Sequence, residues 1–350
     1  MSPAWLASPV ALSLIFLVLQ NSILVVLTRY SRVNVPPEMR YHTSTLVLNQ
    51  EVVKMVLCII IFAVENRLAL RAPLLEIRDT SAVSPSVSTL LWRVVFHKET
   101  LKISVPAALF TLQNYLIFVG LANLDATTFQ VWSQTKLLSA AVLSVLMLGR
   151  RLSMMQWVSL FVLTLGVLLT QQQDLKKTET IPTSEEHNSQ RPLLGIAACV
   201  LSGISSSYAG VYFEKVVKTT APSLAVRNIH LSLFGIPFAA ISMFFLDILP
   251  TWRNPAEQEQ TFEYWRGYDQ WLTLCLVFIH ALGGLLVAIA VKYADNIVKG
   301  FATGVAVVVS GVMSFSIWGV VPSMAFLWGC ALITLATVVY HKYDIRVQSR

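Results

Sequence analysis

The sequence predicts an all-α integral membrane protein of ten transmembrane helices, built as two inverted five-helix repeats. Three observations carry that prediction. Of the 350 residues, 55% are hydrophobic and 13% are charged, against about 25% charged in soluble domains. Apolar runs of spanning length fill nearly the whole chain instead of forming a single anchor. A block running from an aspartate to a glycine recurs at the same ordinal place in each half.

Each span needs about 20 apolar residues to cross ~30 Å of hydrocarbon. Ten stretches qualify: 9–27, 43–64, 104–122, 127–147, 152–171, 193–213, 228–247, 270–291, 297–317 and 321–341. The breaks fall at turn and charge clusters: Arg29 to Arg40 with Pro36-Pro37, Gly149-Arg150-Arg151, Gln171 to Pro192, Asp247 to Tyr268, and Pro322. Met1 to Ser8 carries no Lys or Arg, so it lacks the basic n-region of a cleavable signal peptide. The first run is therefore expected to be retained. Within the long segment 65–103, the end from Leu90 to Lys98 reads as an interfacial helix with Trp92 and Arg93 at headgroup level.

Orientation follows from the basic residues. With the N-terminus in the cytosol, the cytosolic side collects sixteen Lys and Arg, the opposite side eight, and Lys54 and Lys136 lie within spans. The positive-inside rule then puts both termini in the cytosol. The opposite face carries acidic positions such as Glu257, Glu259 and Glu263, and the sequence has no Asn-x-Ser/Thr sequon.

The internal echo is specific in place. Asn123-Leu-Asp125 opens the fourth span, and Gly149 closes it 24 residues after Asp125. Tyr293-Ala-Asp295 opens the ninth span, and Gly319 closes it 24 residues after Asp295. Val142-Leu-Ser144 aligns with Val312-Met-Ser314 between them. The expected organisation is a first repeat at 1–171, with a cytosolic segment at 65–103, a lumenal linker at 172–192, and a second repeat with a cytosolic tail at 193–350. An odd number of spans per repeat makes the repeats inverted.

Several function classes fall away. The net charge of +7 would suggest nucleic acid in a soluble protein, but here it reflects cytosolic loops. Cys58, Cys199, Cys275 and Cys330 all lie in apolar segments without a CxxC partner, so they read as small buried hydrophobes, with no metal site and no cofactor expected. The chain has no HExxH, no GxSxG, no phosphate-binding Gly-rich loop and no clustered carboxylates. A transporter is favoured over a membrane enzyme.

The polar residues inside the spans indicate what it carries. A lysine near the bilayer centre costs on the order of 2.5–3.5 kcal/mol on insertion scales, so Lys136 must face a cavity or a partner. Phe129, Ser133 and Lys136 fall at i, i+4 and i+7, one face of a continuous helix. Two readings stand for Lys136: a site cation, or a structural pair with Glu51. Lys54 reads as structural, with Glu51 or Gln50 on its own helix. Gln113 and Asn114 either clamp a neighbouring helix or read the edge of a polar ligand. Gly203/Ser207 and Ser206/Gly210 are pairs of small residues that allow close packing and also leave room for cargo. Arg227, Asn228 and His230 open span seven; Asn228 is a candidate ligand contact and His230 a packing residue. Lys292 and Lys299 flank Asp295 and Asn296, and Asp295 is expected to neutralise one lysine and leave the other for an anion. Cations, amides, hydroxyls and aromatic rings together suit a bulky anion with a planar ring.

At these motifs the chain resembles the nucleotide-sugar transporters of the drug/metabolite transporter superfamily. The matching strings include Leu112-Gln-Asn114, Asn123-Leu-Asp-Ala126, Phe129-Gln-Val131, Gln134-Thr-Lys136, Gln156-Trp-Val-Ser159, Ala209-Gly-Val-Tyr-Phe-Glu-Lys215, Val226-Arg-Asn-Ile229 and Val291 to Thr303, and they cover about residues 10 to 343. The resemblance implies a ten-helix drug/metabolite transporter fold. It also implies import of a nucleotide sugar into the Golgi, or alternatively the endoplasmic reticulum, against a nucleoside monophosphate. It carries nucleobase, ribose and phosphate contacts over to Gln113, Asn114, Lys136, Ser206, Gly210 and Asn228, and phosphate contacts to Lys292 and Lys299. Phe129, like Phe110, stands where members often carry tyrosine; the ring can still stack, but the hydroxyl's hydrogen bond is gone. Gly283-Gly-Leu-Leu-Val-Ala288 and the KGFAT string are more like the UDP-galactose and UDP-N-acetylglucosamine members than the CMP-sialic acid members. UDP-galactose exchanged for UMP is the expected cargo, with UDP-N-acetylglucosamine, or both sugars, as the alternative. The expected partners are these nucleotides and the lipid bilayer, with a homodimer or a glycosyltransferase association open and no nucleic acid. A non-transporting polytopic scaffold is the distant rival.

Overall fold

A computed structural model describes residues 8–71, 100–178, 191–219, 223–253, 262–319 and 322–343, apart from 34, 37, 38 and 125, together with Trp92 and Val95. Among the described residues the regular structure is entirely helical. In chain order the helices are α1 Pro9–Val33, α2 Thr43–Arg71, α3 Thr100–Asn123, α4 Ala126–Ser133, α5 Thr135–Leu148, α6 Met154–Thr178, α7 Pro192–Thr219, α8 Leu224–Met243, α9 Leu249–Arg253, α10 Trp271–Tyr293, α11 Asn296–Trp318 and α12 Met324–Lys342. Among the described residues nine helical stretches are long and apolar enough to cross a membrane. The α3 helix occupies the place of the third expected span. Trp92 is helical and exposed; most of the interfacial helix expected from Leu90 to Lys98, of the 65–103 segment and of the linker lies outside the described residues.

The helix ends follow ordinary capping chemistry. Ser223, Asp295 and Ser323 precede α8, α11 and α12 in extended conformation, and each side chain accepts from the backbone N–H three residues on. Gly149 and Gly319 end α5 and α11 with φ of 63° each, a left-handed conformation that a Cβ penalises.

One expected element is corrected. The fourth span is two helices, broken at Gln134. The Gln134 amide donates to the Val131 carbonyl at 3.2 Å and the Leu137 amide to the Gln134 carbonyl at 3.0 Å. These three-residue bonds tighten the chain into a turn. Phe129 and Ser133 therefore sit on α4 and Lys136 on α5, so a one-residue turn interrupts the face drawn through them, with Gln134 itself still in right-handed helical conformation at φ −70° and ψ −12°. The seventh span also departs from a plain α-helix: Phe244–Ile248 forms a π-helical segment between α8 and α9.

The chain divides into two compact units. The first comprises residues 1–30, 109–215 and 289–350, and the second 31–108 and 216–288. In the first, Ala141, Leu160, Leu163, Val167, Ile297, Phe301, Ile333, Ala336 and Tyr340 make a buried cluster from α5, α6, α11 and α12. The α6 and α12 backbones touch there: a Cβ built on Gly166 would lie 3.0 Å from the Gly329 carbonyl oxygen. Lipid tails offer no hydrophobic drive between helices, so such glycine contacts are how spans gain packing energy.

In the second unit α2 packs on α8 through Cys58, Phe62, Ala225, Val226 and Ile229. Lys54, 5% exposed, is bound 2.6 Å from the Glu51 carboxylate, and Ser232 of α8 donates to the same carboxylate at 3.1 Å. Lys54 is structural, as its spacing from Glu51 suggested. His230 lies 3.2 Å from the Thr100 hydroxyl, a packing role as expected. Near the start of α2, Tyr264 donates to Asn49 and Asn49 donates to Tyr268, both at 2.8 Å.

Candidate functional site

Three helices of the first unit build the candidate site. Small residues on one face of α7 bring it against the starts of α5 and α11. A Cβ built on Gly203 would lie 3.0 Å from the Lys136 backbone nitrogen. One turn on, the Ser207 hydroxyl donates to the Lys136 carbonyl at 2.7 Å. A Cβ on Gly210 would lie 2.7 Å from Asn296 Oδ1. One further turn along, Glu214 accepts from the Asn296 amide at 3.0 Å. The two partner helices also meet directly, since a Cβ on Gly300 would stand 2.9 Å from Leu137 Cδ2.

Gly300 follows Lys299 and Leu137 follows Lys136, so the helical turns that carry the two lysines lie side by side. The positive charge of Lys136 acts unfavourably on Lys299, and the carboxylate of Glu214 acts favourably. Lys136 is exposed and Lys299 half-buried. Among the described residues neither forms an ion pair. Glu51, the acid weighed for Lys136, is bound to Lys54 in the second unit. Two like charges without a counter-ion inside apolar helices repel and are poorly solvated, and both penalties fall when an anion binds between them.

Asp295 is a correction. Its carboxylate was expected to neutralise a neighbouring lysine. Instead its Oδ1 caps α11 by accepting from the Val298 amide at 2.7 Å, and its Oδ2 lies 3.0 Å from the Arg150 guanidinium. Arg150 also donates to Glu214. Arg150 and Glu214 were missed as a pair because they stand 64 positions apart. The available signal was a glutamate at the end of a small-residue stripe inside a long apolar helix.

The other candidates are placed as follows. Gln113 lies on α3, its carbonyl accepting from Ser202 of α7 at 3.3 Å, with its side-chain Oε1 buried and without a partner among the described residues. Asn114 is exposed. Phe129 of α4 packs on α3, where a Cβ on Gly120 would meet its ring at 3.2 Å. Ser206 is half-buried on α7, and Gly210 serves the α7–α11 contact. Lys292 is exposed at the end of α10, its ammonium 5.7 Å from the Tyr293 ring centre; no contact among the described residues joins it to Lys136 or Lys299. Asn228 belongs to the second unit. It is 1% exposed, its amide donates to the Leu224 carbonyl at 2.9 Å, and its Oδ1 has no partner among the described residues.

Comparison with known proteins gives a consistent match. The family model described as nucleotide-sugar transporter matches residues 10–341. A UDP-N-acetylglucosamine transporter of Rattus norvegicus is 37% identical over 338 residues, covering 95% of this chain and 95% of that one. A UDP-galactose translocator of Mus musculus is 36% identical, covering 94% of this chain and 77% of the relative. A UDP-galactose transporter of Schizosaccharomyces pombe is also 36% identical, covering 95% and 87%. A crystal structure at 14% identity matches with a TM-score of 0.57 over 94% of this chain and 97% of that one, a likeness of fold.

Proposed function

The chain belongs to the nucleotide-sugar transporter family, and from that premise we propose that it is an antiporter importing UDP-galactose into the Golgi lumen in exchange for UMP. The observation that carries this reading is the pairing of Lys136 with Lys299, two span cations that form no ion pair among the described residues. A diphosphate satisfies both. A monophosphate satisfies the same pair with less charge, which permits exchange at one site. The empty carrier retains the repulsion, so its return without cargo is slow and transport is coupled.

Around that charge pair, Gln113 and Asn114 supply amides for the nucleotide and Phe129 a ring. Ser206 and Gly210 keep the α7 wall narrow. Lys292 completes the proposed contact set of the first unit, and Asn228 is proposed as a nucleotide contact of the second unit by itself. Alternating access runs through ten spans acting as two inverted five-helix repeats, at 1–171 and 193–350, with both termini cytosolic. Retention in the endoplasmic reticulum is the alternative location. UDP-N-acetylglucosamine is the second cargo reading, favoured by relatives of that name at 37% identity. Both sugars share the uridine diphosphate that the lysines bind, so hexose contacts decide between them.

The test is counterflow in proteoliposomes preloaded with UMP and offered labelled UDP-galactose, UDP-N-acetylglucosamine and CMP-sialic acid in parallel. Uptake of UDP-galactose that requires internal UMP is the expected result. Uptake of UDP-N-acetylglucosamine alone moves the cargo to the second reading. No uptake of any of them by folded protein favours a scaffold.

A further inference from the structure

Arg150, Glu214 and Asp295 form a buried ionic cluster of the first unit, one helical turn from the lysine pair. Gly149 ends α5 in a left-handed turn and delivers Arg150 at that point. The Arg150 side chain is only 7% exposed and that of Glu214 fully buried. One guanidinium nitrogen donates to Glu214 Oε1, and the other lies 3.0 Å from Asp295 Oδ2. The second oxygen of each carboxylate is spent on the start of α11. Glu214 Oε2 accepts from the Asn296 amide at 3.0 Å, and Asp295 Oδ1 accepts from the Val298 amide at 2.7 Å. The next amide along is that of Lys299, which bonds the Asp295 carbonyl at 3.0 Å. One arginine thus grips, through two acids, the helical turn that carries a site cation.

We propose that Arg150 is a positioning residue for anion capture: by bridging Glu214 and Asp295 it fixes the first turn of α11 and so holds Lys299 beside Lys136. The proposal rests on the reading of that lysine pair as the phosphate site. Two effects act in the same direction. The planar guanidinium addresses both carboxylates at once, whereas an ammonium is a point charge that cannot span them in the same geometry. The arginine also occupies the two acids nearest the site. With its fork lost, a released carboxylate turns to Lys299 and neutralises the charge meant for the ligand.

The decisive variant is Arg150→Lys, which keeps the charge and loses the fork; Arg150→Ala risks misfolding by stranding two buried acids. Three readouts separate positioning from general support. The first is the KM and kcat of UDP-sugar exchange. The second is UMP affinity, from its stabilisation of purified protein. The third is the rate at which an anionic methanethiosulfonate labels Lys299→Cys, followed by mass at that residue, with and without Arg150→Lys. Loss of positioning is expected to raise KM and the UMP Kd about tenfold or more, with kcat held within roughly twofold. The labelling rate is expected to change severalfold. Unchanged affinity with unchanged labelling overturns the proposal, and so does a fall in kcat with KM unmoved, which places Arg150 at another step. If the parent protein exchanges no nucleotide sugar, the transport reading fails by itself. The labelling pair then decides the positioning proposal alone.

Discussion

Gly210 of α7 stands against Asn296 at the start of α11, so close that an added Cβ would lie 2.7 Å from the asparagine Oδ1. Gly210→Ala is therefore an overpacking change next to the site, not the loss of a ligand contact. Forcing a methyl into a packed contact costs about 1–3 kcal/mol. The variant is expected to melt earlier and to show a raised KM. Gly210→Ala combined with Asn296→Ala, which shortens the opposing side chain, recovers part of the stability. Thermal melting of the purified variants checks both.

Lys136 and Lys299 are expected to behave unlike most charges within apolar helices. Each repels the other, and neither forms an ion pair among the described residues. Lys136→Ala or Lys299→Ala should therefore leave the ligand-free protein as stable as the parent, or more so. What disappears is the response to UMP, which in the parent reaches about 2.7 kcal/mol at one hundred times Kd. A melting series with and without UMP reads both halves; a variant that still responds fully contradicts the assignment.

The Lys54–Glu51 pair gives the opposite result. Both groups lie inside the second unit, with Ser232 donating to the carboxylate. Removing one partner leaves a buried charge unpaired, at a cost of about 3–5 kcal/mol, whereas replacing both with apolar or neutral groups of similar size is nearly neutral. Glu51→Ala is expected to lower yield and melting temperature sharply. Lys54→Met combined with Glu51→Gln restores them and keeps exchange activity.

His42, at the mouth of α2, supplies a pH dependence. Burial pushes its pKa below the ordinary 6.5, outweighing the pull of Asp247 and Glu263, while Arg266 adds to the depression. Its ring centre lies 5.0 Å from that of Phe262, with the planes tilted by 39°. A lowered folded-state pKa means that the neutral ring belongs to the folded protein. Its contribution is complete above pH 6.5 and is lost as pH falls from there through the lowered value. Melting temperature is expected to drop on that limb, and His42→Asn should flatten it.

Much of the helical architecture was legible because apolar runs of fixed length have few alternatives in a membrane. Lys54 was legible too, since Glu51 sits three residues away and helical spacing makes the pair. The break at Gln134 was not. The stretch from Val131 to Leu137 contains no glycine or proline, and the turn is made by two backbone bonds that any sequence can form. Asp295 was assigned to a lysine by nearness in sequence. The structure gives it to Arg150, whose fork reaches Glu214 and Asp295 together. Nearness along a chain does not weigh a guanidinium delivered from another helix. Lys136 and Lys299 were legible as charges that needed a reason; the approach of their helical turns depends on the packing of Leu137 against Gly300, which no periodicity announces.

The face of α7 that touches both lysine-bearing helices works as a ruler. Ser207 meets Lys136 and Glu214 meets Asn296, seven residues apart on the same helix, which is about 10 Å of rise and close to two turns. Inserting or deleting one residue between them would swing one contact about 100° around the axis while leaving the other in place. Length along this stretch is thus as tightly specified as residue identity. Substitutions here can be graded in severity, but changes in register cannot.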